Sequence, residues 1–170
     1  MGIRQMMRVA AAAAALICAG TLQAHHSNSM FDLSRSLWVK GTVVRYQHMN
    51  PHALITLEER KADGKIQQWI VEGPRLGRIE LLGVDEHFIK VGEVIDVCGF
   101  FLKDEALGRR HSPDPDSADV HFIHGQVLVK PDGKKWMWGP YGQLDRCISP
   151  DEWDTIIHGG NPLPPRPAPL

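Results

Sequence analysis

Histidine is the residue type whose placement in this sequence could do chemistry. Nine occur in 170 residues, and two of them, His25 and His26, are adjacent. They follow Leu22-Gln23-Ala24, whose Leu at −3 and Ala at −1 suit a leader peptidase. Cleavage after Ala24 would make His25 the first residue. A free amine and two imidazoles would then lie within a few atoms of one another. Such nitrogen-rich groups favour Cu(II), which prefers tetragonal N/O ligation and tops the divalent affinity order. A third imidazole, His52, follows Asn50-Pro51 in a tight turn. In this reading His25 and His26 are the primary ligands and His52 completes the set. Pro51 stiffens the turn, and Asn50 fixes it through a side-chain bond to the backbone. His48, Met30 and Met49 are further donors, the thioethers suited to Cu(I). A plainer reading leaves the arm as a polar tail and has His52 bonded to a backbone carbonyl. His121 and His124 are three apart, so on a strand they face opposite sides and would not chelate together.

Nothing else in the chain suggests catalysis. There is no Gly-x-Ser-x-Gly elbow, no phosphate-cradling glycine loop and no Cys-x-x-Cys. Carboxylate pairs such as Glu58-Glu59 read as solvated charge, so no enzyme is expected. Trp38, Trp69, Trp136 and Trp138 could stack a sugar or a base, but barrel packing is the simpler account.

The elements that must position these groups begin with a leader. Arg4 and Arg8 precede the apolar run Val9–Ala19, and Gly20-Thr21 breaks it. That is the pattern of a signal peptide over residues 1–24, and the run is too short for a stable span. Losing Arg4 and Arg8 leaves 17 Lys+Arg against 20 Asp+Glu. A mildly acidic chain with no basic stripe is a poor nucleic-acid binder. No membrane span is expected after cleavage, and the location is periplasmic or secreted. Cys98 and Cys147 remain after cleavage, an even pair that could form a disulfide in an oxidising compartment or stay as two buried thiols.

Residues 25–36 read as an extended N-terminal arm. Strands are expected at Trp38–Tyr46, where Gly41 marks a bend or bulge, and at Ala53–Glu59, Ile66–Glu72, Val94–Leu102, Asp119–Val129 and Lys135–Trp138. Pro74, the spacing of Leu76, Ile79 and Leu82, and Gly83 at the end predict a short helix over 74–82. Residues 103–118, broken by Pro113 and Pro115, form a long loop. Ser149-Pro150-Asp151-Glu152 is a capping-box sequence, so a two-turn helix is expected to follow and end near Gly159. A Pro-rich tail closes the chain. Three strands, a helix and two or three more strands bury a core by curling into a barrel. The expected class is mostly β: a five-to-six-stranded OB-like Greek-key barrel over 37–139, one short helix between strands 3 and 4, and a C-terminal helical extension over 140–170.

His25-His26-Ser27, Gly41-Thr42-Val43, Asn50-Pro51-His52, Trp69-Ile70-Val71-Glu72 and Lys90-Val91-Gly92-Glu93-Val94, in that order, resemble an uncharacterised family of short secreted bacterial proteins. The resemblance covers roughly residues 25–101, with a weaker echo around Pro131-Asp132-Gly133. It implies export and a single domain, brings no activity, and suggests that His25, His26, Asn50 and His52 matter together. The chain departs from the pattern at His48, where the family has an aromatic residue, in its longer 103–118 loop, and in the extension beyond Trp138. The sequence therefore points to an exported, non-enzymatic binding or accessory protein, with copper as its candidate ligand and a periplasmic protein as a candidate partner. A structural module that recognises protein or glycan without metal is the alternative. An oxidative copper enzyme is a third reading.

Overall fold

The computed structural model describes residues 30–104, 120–139, 141–158 and 160–163. The expected leader, His25 and His26, most of the 103–118 loop, Gly159 and the tail from 164 lie outside the described residues.

The first strand, β1 (Phe31–Gln47), is the longest element, and it serves two neighbours. Its first part pairs antiparallel with β4 (Val94–Leu102), from Phe31↔Leu102 to Thr42↔Val94. Its second part pairs with β2 (Leu54–Arg60), from Thr42↔Glu58 to Gln47↔Leu54. A strand can turn from one partner to another only if it coils, and β-bulges increase local twist. The register shifts between Val43 and Arg45 and again between Phe31 and Ser36. The bend expected at Gly41 thus falls at Val44. The strand also starts seven residues before Trp38, so half of the expected arm is part of the sheet.

β2 turns through Lys61–Lys65 into β3 (Ile66–Glu72). The short helix α1 (Leu76–Ile79) follows, with a 3-10 turn over Glu80–Leu82. Gly83 ends it at φ 74°, a left-handed conformation that a Cβ would strain. β5 (Val120–Val129) pairs antiparallel with β4 and parallel with β3, from Gln68↔Val120 to Glu72↔His124. That parallel ladder closes the barrel in the order β1-β2-β3-β5-β4 and removes the free edges that an open five-stranded sheet would present. The architecture is the expected one: a closed five-stranded barrel with one short helix between strands 3 and 4.

Alternation along the strands separates two apolar clusters. Val43, Ile55, Leu57, Val71, Ile95 and Ile123 fill the barrel, and Ile79 from α1 and Leu82 from the 3-10 turn after it pack against them. Each such fully buried side chain contributes roughly 1.5–3 kcal/mol. Phe31, Ile70, Phe100, Leu102, Val120 and Phe122 form a second cluster from the alternate positions of the same strands.

The C-terminal part builds on the barrel edge. β6 (Lys135–Met137) pairs with β5, and β7 (Ile156–His158) runs parallel to β6 and pairs with β8 (Asn161–Pro162). The capping-box sequence starts a 3-10 helix, Pro150–Thr155, and not the two-turn helix expected. It stops where Ile156 and Ile157 find β6, because a β-branched pair beside an open strand edge pairs with it. The Glu152 carboxylate accepts from the Ser149 N–H at 3.0 Å and from Ser149 Oγ at 3.1 Å, and it also pairs with Lys135. Lys135 first, and then the Ser149 donors, hold its acid form down to about 2. Cys98 on β4 is disulfide-bonded to Cys147, with Cα atoms 5.7 Å apart. Among the described residues no helix is long and apolar enough to cross a membrane.

Candidate functional site

The turn from β1 to β2 brings His52 to the end of β3. The Asn50–Pro51 peptide is cis. Asn50 is exposed, and the described bonds that shape the turn are backbone ones: Ala53 N–H to Pro74 O at 3.1 Å, and Gly73 N–H to Ala53 O at 2.8 Å. His52 Nδ1 lies 2.9 Å from Gly73 O and 3.3 Å from Glu72 Oε1. A carbonyl can only accept, so Nδ1 carries a proton, and in the neutral ring the lone pair is then on Nε2. This is the carbonyl bond of the plainer reading. It is also how second-shell contacts orient an imidazole ligand.

Across the β3–β5 ladder from Glu72 stands His124. Its ring stacks on Phe31 with centroids 4.9 Å apart and planes at 26°. Both ring nitrogens are shielded from solvent and lack a hydrogen-bond partner. Burial first, and then the nearby His52, push its pKa down to about 4, so the ring is neutral at pH 7. An unpaired buried donor costs roughly 1–3 kcal/mol. His124 is therefore an unexplained expense where the surrounding positions are Phe and Leu. The lysine that follows this patch, Lys103, donates its N–H to Met30 O at 2.9 Å, tying the root of the N-terminal arm to the end of β4.

Behind this pair lies a second unsatisfied group. Gln126 is fully buried, and neither its Oε1 nor its Nε2 has a partner; Trp138 Nε1 is likewise orphaned. The indole sits against Gly73 and Gly125, where an added Cβ would come within 2.6 Å and 2.7 Å of it. Glycine at these two positions leaves the room that Trp138 fills in the core.

The other candidates have different partners. His48 Nδ1 is hydrogen-bonded to Tyr46 OH at 3.0 Å, its Nε2 is 3.8 Å from Glu80, and Tyr46 OH donates to Asp85 O at 3.3 Å. His121 packs on Trp69 at 5.0 Å and on Phe101 at 6.2 Å, on the opposite face from His124. Trp69 and Trp138 are core, Trp136 packs edge-on against Phe88 at 4.7 Å, and Trp38 is 48% exposed. Among the described residues no group of three or more His, Cys, Asp or Glu is placed to hold a metal ion. Two imidazoles, His52 and His124, are what the fold itself brings to this end of the sheet. Sequence reasoning missed the second: alternation gave its face, but only the β3–β5 register sets it opposite Glu72.

The model of a family of unknown function, DUF6152, matches residues 13–110, more than half of the chain. The chain belongs to DUF6152. The match takes in His25-His26-Ser27, the Asn50-Pro51-His52 turn and strands β1 to β4, and it ends before β5. His124 and Cys147 thus lie outside the matched part of this DUF6152 protein. No curated protein matches it.

Proposed function

We propose that this DUF6152 protein is an exported binding or accessory protein that takes Cu(II), or a cation of similar preference, through His25, His26 and His52. The observation that carries the reading is the His52 bond to Gly73 O, which fixes the ring as its Nδ1–H tautomer and puts the basic lone pair on Nε2. Export is supported by the residue 1–24 pattern and is compatible with the Cys98–Cys147 disulfide.

The test is a Cu(II) titration of the chain secreted from its own leader, with mass spectrometry of its N-terminus. Sub-micromolar binding that is lost when one extra residue precedes His25 is the expected result. Micromolar binding that is indifferent to that extension overturns the copper reading. It would leave the alternative, a module that recognises protein or glycan, for which the half-exposed Trp38 on β1 is the favourable observation.

A further inference from the structure

We infer that the outward face of β1 and β4 is a self-association surface, on which a second copy of this chain docks about a two-fold axis. The inference is independent of the copper reading.

Strand alternation builds the face. Val39, Val43, Ile95 and Val97 belong to the core, so Trp38, Lys40 and Thr42 on β1 and Val94 and Asp96 on β4 point outward. The ladder sets them in three rows about 7 Å apart: Trp38 opposite Cys98, Lys40 opposite Asp96, and Thr42 opposite Val94. The C-terminal extension bounds the Trp38 row, because Cys98 is bonded to Cys147 and Ser36 Oγ donates to Arg146 O. At the other end the turn before β4 is tied to the β1 bulge. Gly92 N–H donates to Val43 O and Val43 N–H donates to Glu93 O, both at 2.8 Å. Val44, Val91 and Val94 gather there, 36%, 69% and 46% exposed. Single exposed apolar residues are ordinary on a protein surface. A half-exposed indole and three exposed valines on one face make a patch, and patches mark interfaces.

The chemistry of the rows selects the occupant. One end is aromatic and the other aliphatic. The middle row carries one charge of each sign, with Lys40 Nζ 3.2 Å from Asp96 Oδ2. A half-turn about the middle row exchanges the two ends. It brings each Trp38 onto the valines of the other copy and each Lys40 towards the other Asp96. The face is therefore its own complement, which is what an isologous interface requires. A strongly acidic or basic partner would find no net charge here to match. Burial of tryptophan supplies the kind of anchor on which such interfaces depend. An exposed ion pair contributes little to the fold, so its two charges are free to re-pair across the axis.

The test is sedimentation equilibrium of the chain secreted from its own leader, over a concentration series and with a chelator present so that metal bridging plays no part. The mass should rise from one chain to two. Trp38→Ala should weaken dimerisation about tenfold or more. Leu81→Ser, which removes an exposed apolar side chain far from these rows in the sequence, should leave it unchanged. Charge exchange identifies the axis. Lys40→Glu and Asp96→Lys should each stay monomeric, whereas a mixture of the two should form a heterodimer, because every contact across the axis then joins opposite charges. All variants should keep the circular dichroism of the parent. A parent that is monomeric at every concentration overturns the inference. So does a dimer undiminished in Trp38→Ala, or a mixture of the charge variants that does not associate. A monomer whose tryptophan fluorescence responds to an oligosaccharide only when Trp38 is present gives the face to a glycan and also overturns it. Dimerisation through this face in a protein that binds no Cu(II) leaves the inference standing and removes the proposed function alone.

Discussion

His124 shows how a single side chain can link stability to pH. Its pKa is about 4, against 6.5 in the unfolded chain, because burial penalises the charged ring. The unfolded state therefore binds more protons between these values. The stability tied to the neutral ring is fully present above pH 6.5 and is lost as pH falls towards 4. A shift of this size corresponds to on the order of 3 kcal/mol. Urea denaturation at pH 7 and pH 4.5 should show a loss approaching that size, and His124→Phe should flatten most of it. His158 is depressed for the same first reason, burial, and contributes in the same direction. An equally steep pH dependence in His124→Phe would assign the effect to other groups.

At the scale of elements, the C-terminal extension is attached to the barrel by the short parallel pairing of β6 with β7, by the Lys135–Glu152 pair and by the buried Leu144, Ile148, Trp153 and Leu163. The Cys98–Cys147 bridge adds a covalent attachment that closes a loop of 49 residues. Closing a loop of that length removes chain entropy worth about 4 kcal/mol. Reduction is expected to lower the thermal midpoint clearly and to raise hydrogen exchange first in 141–163, while β2 and β3 stay protected. Uniform loss of protection across the chain would mean that the bridge holds the barrel itself. The helix plug behaves differently. Ile79, Leu82 and Val84 are almost fully buried, so α1 is held by what it covers and not by its four-residue length.

For the whole molecule the decisive contact is the parallel ladder between β3 and β5, because it converts an open sheet into a barrel. The family-matched region ends at residue 110, before β5 begins at Val120. A chain cut after residue 110 lacks the closing strand, the disulfide partner and His124. It would expose the edges of β3 and β4 together with much of the apolar core. Such a truncation is expected to lose cooperative unfolding and dispersed amide shifts, or to aggregate; a well-dispersed spectrum would show that the matched region folds without closure.

The amino-acid sequence by itself determined most of the local structure. The β-formers from Trp38, the alternation in 66–72 and 94–102, the turn residues between them, and Pro74 with Gly83 around a helical spacing each act over a few residues, so they could be read without the fold. Two cysteines left after a leader-like segment likewise suggested the bridge. The start of β1 was not legible, because Asp32–Ser36 is polar and becomes strand only by pairing with β4. The 3-10 turn at Pro150 was not legible for the same reason: Ile156 and Ile157 are recruited by β6, whose paired residues lie 21 positions earlier. The site divides along this line. His52 stood out because proline and asparagine beside it mark a tight turn. His124 had no local signal at all. Its neighbours Glu72, Phe31 and His52 come from three other parts of the chain, and only barrel closure, which is driven by burial and edge pairing over long sequence distance, sets them around it.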